Sequence, residues 1–249
     1  MHKYFSILLV FFLVACNSMG QDYLVLGHRG AKGHETENSL PSIQKALDLG
    51  VDMIEIDVFK IRTGEIAVFH DERVERLTNG AGNIEEYSFL EMKRLLLDGN
   101  YQIPILQDVV KLVDKQAALN IELKGAGTAD RVNHMMSYYV EDEGWSWDNI
   151  LISSFNWEEL RDMRKLNLEI PIAVLTESDP LEAIPVAQEL KAVAINPNYR
   201  SLNSANIEAI HKAGFKIYTW TVNDPEAIQK LIDMGVDGII SDYPERLLR

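Results

Sequence analysis

"IEIDVFKIRTGEIAVFHD", residues 54 to 71, opens as a buried strand yet carries two carboxylates, Glu55 and Asp57, inside its apolar run. Strand alternation puts those two acids on one face and Ile54, Ile56 and Val58 on the other. Neighbouring carboxylates on a buried face repel each other and lose hydration, so either one is protonated or a cation lies between them. The stretch then turns back on itself. With Arg62 and Glu65 closing a tight hairpin over Thr63 and Gly64, "EIAVFHD" (65 to 71) is an antiparallel arm, because a parallel crossover needs a dozen or more residues. Pairing 62 with 65 gives partner positions that sum to 127, which sets His70 opposite Asp57 and on the face of the two acids.

Outward from this stretch, β-branched runs alternate with amphipathic ones. The runs are "YLVLG" (23 to 27), "MIEIDV" (53 to 58), "LNIELK" (119 to 124), "ILISSF" (150 to 155), "PIAVLT" (171 to 176), "AVAIN" (192 to 196), "KIYTWTV" (216 to 222) and "DGIISD" (237 to 242). Glycines stand where left-handed helix ends are wanted, as in "DLGVDMIEID" and "DMGVDGIISD", which share the pattern Gly-Val-Asp-x-Ile-x-x-Asp. Eight strand–helix units predict an α/β fold, a (β/α)8 TIM barrel with an extra hairpin arm after strand 2. Residues 72 to 107, with a helical "SFLEMKRLLL", are predicted as a short rim insertion, equally compatible with a lid and with a packed loop.

The chain has 249 residues, 47% of them hydrophobic, enough for one large core. A net charge of −14 argues against nucleic acid or an anionic membrane surface as a partner. A single cysteine excludes an internal disulfide framework and a cysteine-based zinc site. "MHKYFSILLVFFLVA", residues 1 to 15, has the anatomy of a secretory signal, and "LVAC" resembles the lipobox of bacterial lipoproteins. The expectation is a lipidated Cys16, a tether over 16 to 22, and a barrel domain over 23 to 249. The protein would then be exported, anchored to a membrane, and periplasmic or at the cell surface.

A third acid, Glu122 in "NIELK", falls at the C-terminal end of the next parallel strand, where barrel active sites are built. Three carboxylates with no thiolate make a hard-cation site, suited to one Ca²⁺ or Mg²⁺. "GHRGAKGHETENSL" brings His28 and Arg29 to the same end, and Lys124 lies two residues beyond Glu122. Taken singly, each acid reads as a member of a structural ion pair with Arg29 or Lys124. Together, a metal, Arg and Lys converging on one spot form an anion site, and phosphate fits it.

"HRGAKGHETENS", "IEIDVFKIRTGEIAVFHD", "IELK" and "YTWTVNDP" resemble, in order, the signature segments of glycerophosphodiester phosphodiesterases. The resemblance implies a (β/α)8 barrel that uses one divalent ion to hydrolyse glycerophosphodiesters to sn-glycerol 3-phosphate and an alcohol. It implies Glu55, Asp57 and Glu122 as metal ligands, His28 and His70 as the acid/base pair, and Arg29 and Lys124 as phosphate contacts. Where the family pattern has Pro-Glu-Asn-Thr, this chain reads Thr36-Glu37-Asn38-Ser39, which keeps Glu37 and Asn38 as orienting residues. Trp220, with Tyr218 on its strand face, is a candidate floor for the glycerol pocket and equally a core residue, and Phe155 reads the same way. His34 reads as an exposed loop residue, His134 and His211 as surface residues on helices. Two other functions suit these residues: a lysophospholipase D or phospholipase C-like lipid hydrolase on the same site, and a non-catalytic surface lipoprotein that binds phosphorylated ligands.

Overall fold

The computed structural model describes residues 23 to 248, so the expected signal over residues 1 to 15, the tether and Cys16 lie outside the described residues. Eight parallel strands form the barrel: β1 (Leu24–Gly27), β2 (Met53–Lys60), β3 (Ala118–Leu123), β4 (Ile150–Ser154), β5 (Ile172–Thr176), β6 (Ala194–Pro197), β7 (Lys216–Thr219) and β8 (Gly238–Ser241). Each pairs with the next, and β1 pairs with both β8 and β2, which closes the sheet. The helices are α1 (Leu40–Asp48), a short α2 (Phe89–Met92), α3 (Leu106–Val113), α4 (Ala129–Asp142), α5 (Trp157–Leu166), α6 (Ile184–Glu189), α7 (Ser204–Lys212) and α8 (Pro225–Asp233). Among the described residues no helix is long and apolar enough to cross a membrane.

The period-two pattern of the strands divides the core in two. Val25, Ile54, Ile56, Val58, Ile121 and Ile152 face outward and pack on the helices, whereas Leu26, Met53, Leu151, Ala173, Ala194 and Ile240 fill the barrel lumen. Above that lumen layer, towards the C-terminal ends of β2 and β3, the same inward register continues as Glu55, Asp57 and Glu122. The barrel therefore stops being apolar where its strands end.

The hairpin after β2 forms, with a register one residue away from the one expected. Ile61 N donates to Glu65 O (3.0 Å) and Gly64 N to Ile61 O (2.8 Å), so the loop has three residues, Arg62, Thr63 and Gly64. Gly64 sits at φ 98°, which gives the loop its left-handed third residue. Partner positions sum to 126, as in Val58 with Val68 and Lys60 with Ile66. Asp57 thus lies opposite Phe69, whose N–H it accepts (2.9 Å), and not opposite His70. The arm ends at Val68, and His70 reaches the acids from the bend that follows.

The rim insertion is a packed unit. Ile61, Phe69, Val74, Ile84, Met92 and Ile103 form a third apolar cluster, each at most 2% exposed. Full burial of side chains of this size stabilises by about 1.5–3 kcal/mol apiece, more than a detached lid would gain. The expected helix over "SFLEMKRLLL" is only the four residues of α2, started by a Ser88–Glu91 capping box. Leu96–Leu97 instead pairs antiparallel with Tyr101–Gln102, because an alternative partner strand lies close by in sequence.

Candidate active site

Loop 28 to 39 folds over the acids. Arg29 and Asn38 adopt positive φ (51° and 57°), and between them Gly30, at φ 85°, lies so close to α1 that a Cβ there would sit 2.6 Å from the Ser42 carbonyl carbon. Ser39 caps α1 by accepting from Ser42 N, with Pro41 in the first turn, and the loop is pinned at that end. The Arg29 N–H then donates to Glu55 Oε2 (2.9 Å). Asn38 bridges Asp57 twice, Nδ2 donating to Oδ2 (2.9 Å) and Oδ1 accepting from the backbone N–H (3.2 Å).

Glu55, Asp57 and Glu122 converge, with one oxygen from each lying within 4.8 Å of the others, and Asp57 pairs directly with Glu122 across β2 and β3. They are 4%, 1% and 8% exposed. Burial, then the charges of Asp57 and Glu122, push Glu55 well above the usual carboxylate range. Burial and Asp57 likewise push Glu122 up to about 7. Asp57 is held below its ordinary value against its own burial by Arg29, His70 and Lys124. Glu55 Oε1 is buried without a hydrogen-bond partner. Three hard oxygen donors, two of them strained towards protonation and one with an orphaned oxygen, fit a divalent cation that would neutralise them.

The two imidazoles are held alike. His28 Nδ1 lies 2.6 Å from Asp242 Oδ1, and Asp242 is fixed by Asn223, whose Nδ2 donates to Oδ2 (2.7 Å). His70 Nδ1 lies 2.6 Å from Asp71 Oδ1. An ionised carboxylate only accepts, so each Nδ1 carries the proton and Nε2 is left for the site. Burial depresses both histidines, against the pull of their carboxylates, so they favour the neutral form. Lys124 Nζ donates to Glu122 (2.9 Å), lies 3.6 Å from Asp57 Oδ1 and 3.3 Å from His70 Nε2. The Arg29 guanidinium donates to Glu37 (2.6 Å), and its Nε lies 3.2 Å from Asp57 Oδ2, an ion-pair contact without hydrogen-bond alignment.

His28, Arg29, Glu55, His70, Glu122 and Lys124 line a cavity of about 370 Å³ that Phe155, Leu175, Trp220 and Ile240 also border. Trp220 meets Phe155 edge to face, centroids 5.3 Å apart, and its indole N–H is tied to Asn196 O (2.8 Å). Tyr218 and Trp220 both pack against the lumen cluster, but of the two it is Trp220 that lines the cavity. His34 pairs with Glu245 (3.0 Å) and His211 with Asp237 (2.8 Å), both away from the cavity wall. Sequence reading brought the three acids, two histidines and two cations to one place and missed Asp242, Asn223 and Asp71. Asp242 ends the second copy of Gly-Val-Asp-x-Ile-x-x-Asp, where Asp57 ends the first; that equivalence was the available signal.

Residues 28 to 246 match the model of the glycerophosphoryl diester phosphodiesterase family. A glycerophosphodiester phosphodiesterase of Caldanaerobacter subterraneus is 33% identical over 238 residues, 90% of this chain and 96% of that protein. One from Bacillus altitudinis is 31% identical over 241 residues, again with 90% and 96% covered. An Oleispira antarctica phosphodiesterase, solved in complex with the product sn-glycerol-3-phosphate, superposes with a TM-score of 0.82 at 28% identity, covering 90% of this chain and 94% of that one. With a family match running from the first of the two site histidines to beyond Asp242, and relatives of this identity over nearly their whole length, this chain belongs to the glycerophosphoryl diester phosphodiesterase family.

Proposed function

We infer that this chain hydrolyses glycerophosphodiesters to sn-glycerol 3-phosphate and an alcohol, with Glu55, Asp57 and Glu122 holding one divalent cation, Ca²⁺ or Mg²⁺. The observation that carries this reading is a cavity bordered by two Nδ1-anchored histidines, Arg29, Lys124, Glu55 and Glu122, with Asp57 converging on those two acids. When bound, such a cation supplies Lewis-acid polarisation of a phosphate oxygen and acidifies a hydroxyl beside it. Arg29 and Lys124 are placed to offset the charge that builds on the equatorial oxygens, and burial strengthens their effect. His28 and His70, with Nδ1 held by Asp242 and Asp71, present Nε2 as acceptor or donor. One takes the nucleophile's proton and the other protonates the leaving alkoxide. Phe155 and Trp220 offer an apolar wall for the glycerol carbons.

Turnover of a panel of glycerophosphodiesters by the purified domain, with chelator and with each cation restored, tests this reading. Hydrolysis that survives full chelation overturns the metal assignment, and release of choline from lysophosphatidylcholine but not from glycerophosphocholine overturns the substrate class. A binding protein would tolerate His28→Ala, whereas the hydrolase loses turnover by about 10²–10⁴-fold.

The signal anatomy of residues 1 to 15 and the "LVAC" segment support an exported lipoprotein anchored through Cys16. The seven residues from Cys16 to Tyr23 reach at most roughly 25 Å, which would hold the barrel close to the bilayer. Cys16→Ser should abolish incorporation of labelled fatty acid and release the protein from the membrane fraction; retention of the label would rule out this anchor.

A further inference from the structure

Arg76 belongs to the rim insertion, and its side chain is 46% exposed. Exposed arginines in ion pairs contribute little as a rule. This one is held differently. Its Nη2 and Nη1 donate to Glu37 Oε1 (2.6 Å) and Oε2 (3.1 Å), and its Nε donates to Asp71 Oδ2 (2.5 Å). Both acids are already in use by the site. Asp71 holds His70 Nδ1 through its other oxygen, and Glu37 Oε1 also accepts from Arg29. Lys32 Nζ approaches Glu37 Oε2 at 3.5 Å, too far to replace the fork. One guanidinium thus joins the bend that carries His70 to the loop that carries Arg29, two segments that come from different strand ends.

We propose that Arg76 is a positioning residue of the hydrolase, fixing the His70–Asp71 pair and the Arg29–Glu37 pair in a single frame so that imidazole and guanidinium meet the phosphate at a set separation. The inference rests on His70 and Arg29 acting on that phosphate. A planar fork is required, since two carboxylates on different segments must be bridged at once with fixed angles, and a lysine ammonium supplies a single point charge on a flexible stem. The cost of losing the frame falls on the transition state more than on ground-state binding, because misplacing reacting groups by about an ångström can cost about 10²-fold in rate.

Steady-state kinetics of R76A, R76Q and R76K on glycerophosphocholine, with saturating divalent cation, test it. The expected result is a fall in kcat of about 10- to 100-fold that exceeds any rise in KM. R76K should stay impaired, millimolar guanidinium should partly restore R76A, and the thermal midpoints of R76Q and R76K should stay near that of the parent. Combined with His70→Ala or with Arg29→Ala, the R76A loss should shrink, since groups acting as a unit are not additive. Wild-type kcat in R76A, full recovery by lysine without rescue by guanidinium, or strict additivity with both partners would overturn the proposal. Wild-type turnover in His70→Ala alone would instead overturn the role given to His70, so the two failures are told apart.

Discussion

Asp242 and Asp71 do the same thing to the two imidazoles of one cavity: each accepts a hydrogen bond from the Nδ1–H of its histidine at 2.6 Å and so decides the tautomer. The difference lies behind them. Asp242 is clamped by Asn223, which donates from Nδ2 and accepts the Asp242 backbone N–H through Oδ1 at 2.9 Å, whereas Asp71 is clamped by a guanidinium. Asp242→Ala should leave His28 free to rotate and to take the wrong tautomer, with kcat falling about 10²-fold or more at nearly constant KM. Asn223→Ala, one bond further out, should fall by about tenfold, because Asp242 still reaches His28 but is no longer oriented. Stopped or steady-state assays on both variants check the order; an Asn223 variant worse than the Asp242 variant would contradict it. Sequence alone located the histidines because a His at a strand end is a visible signal. Their carboxylates were less legible, since Asp242 lies 214 residues from His28 and only barrel closure between β1 and β8 makes them neighbours.

At the scale of the element, the repeated Gly-Val-Asp-x-Ile-x-x-Asp is a strand with a job at each end. Its first aspartate works at the barrel floor: Asp52 Oδ2 accepts the Val25 N–H (2.8 Å) and Asp237 Oδ2 the Ile217 N–H (3.0 Å), each closing the start of the neighbouring strand. Its last aspartate, Asp57 or Asp242, works at the catalytic end. Floor variants should therefore separate stability from activity. Asp237→Ala leaves a backbone N–H without its acceptor and removes the partner of the Lys216 ammonium (2.6 Å) and of the His211 imidazole (2.8 Å), and should cost about 1–3 kcal/mol with kcat/KM unchanged. Although burial opposes it, Lys216 and His211 hold the Asp237 carboxyl below its ordinary value. A depressed folded-state value means that the stabilisation is complete above the unfolded pKa of about 3.9 and is lost as pH falls through the folded value. The gap in thermal midpoint between parent and Asp237→Ala should accordingly be constant near neutrality and close under acid; a gap that widens as pH falls would refute the linkage. The strand pattern also shows where sequence reading slips. Alternation fixes which side chains face inward, but whether a hairpin loop has two residues or three is decided by Gly64 at φ 98°, and that one residue moved the whole arm.

Across the whole molecule, the barrel was legible because eight β-branched runs separated by helix-length polar stretches admit few closed arrangements. The packed core of the rim insertion was less so, since its contacts join short irregular segments with no period to read. Closure has an energetic consequence at the site. It forces Glu55, Asp57 and Glu122 together under burial, and without a cation the fold bears their repulsion, with Glu55 and Glu122 both pushed above the usual carboxylate range. Glu55→Gln tests this with opposite signs in the two states. In chelator, the amide keeps an acceptor for the Arg29 N–H and removes an acid whose ionisation burial, Asp57 and Glu122 oppose, so the thermal midpoint should rise. In excess Ca²⁺ or Mg²⁺ the parent should gain stability by mass action, about 2.7 kcal/mol at a hundredfold excess over its dissociation constant, while the variant, lacking a charged ligand, gains far less and does not turn over. Thermal denaturation of both proteins across a cation titration measures all four states. A variant that is less stable than the parent in chelator, yet shifts with cation as strongly, would mean that the three acids are held together by their ion pairs with Arg29 and Lys124 and do not form a binding site.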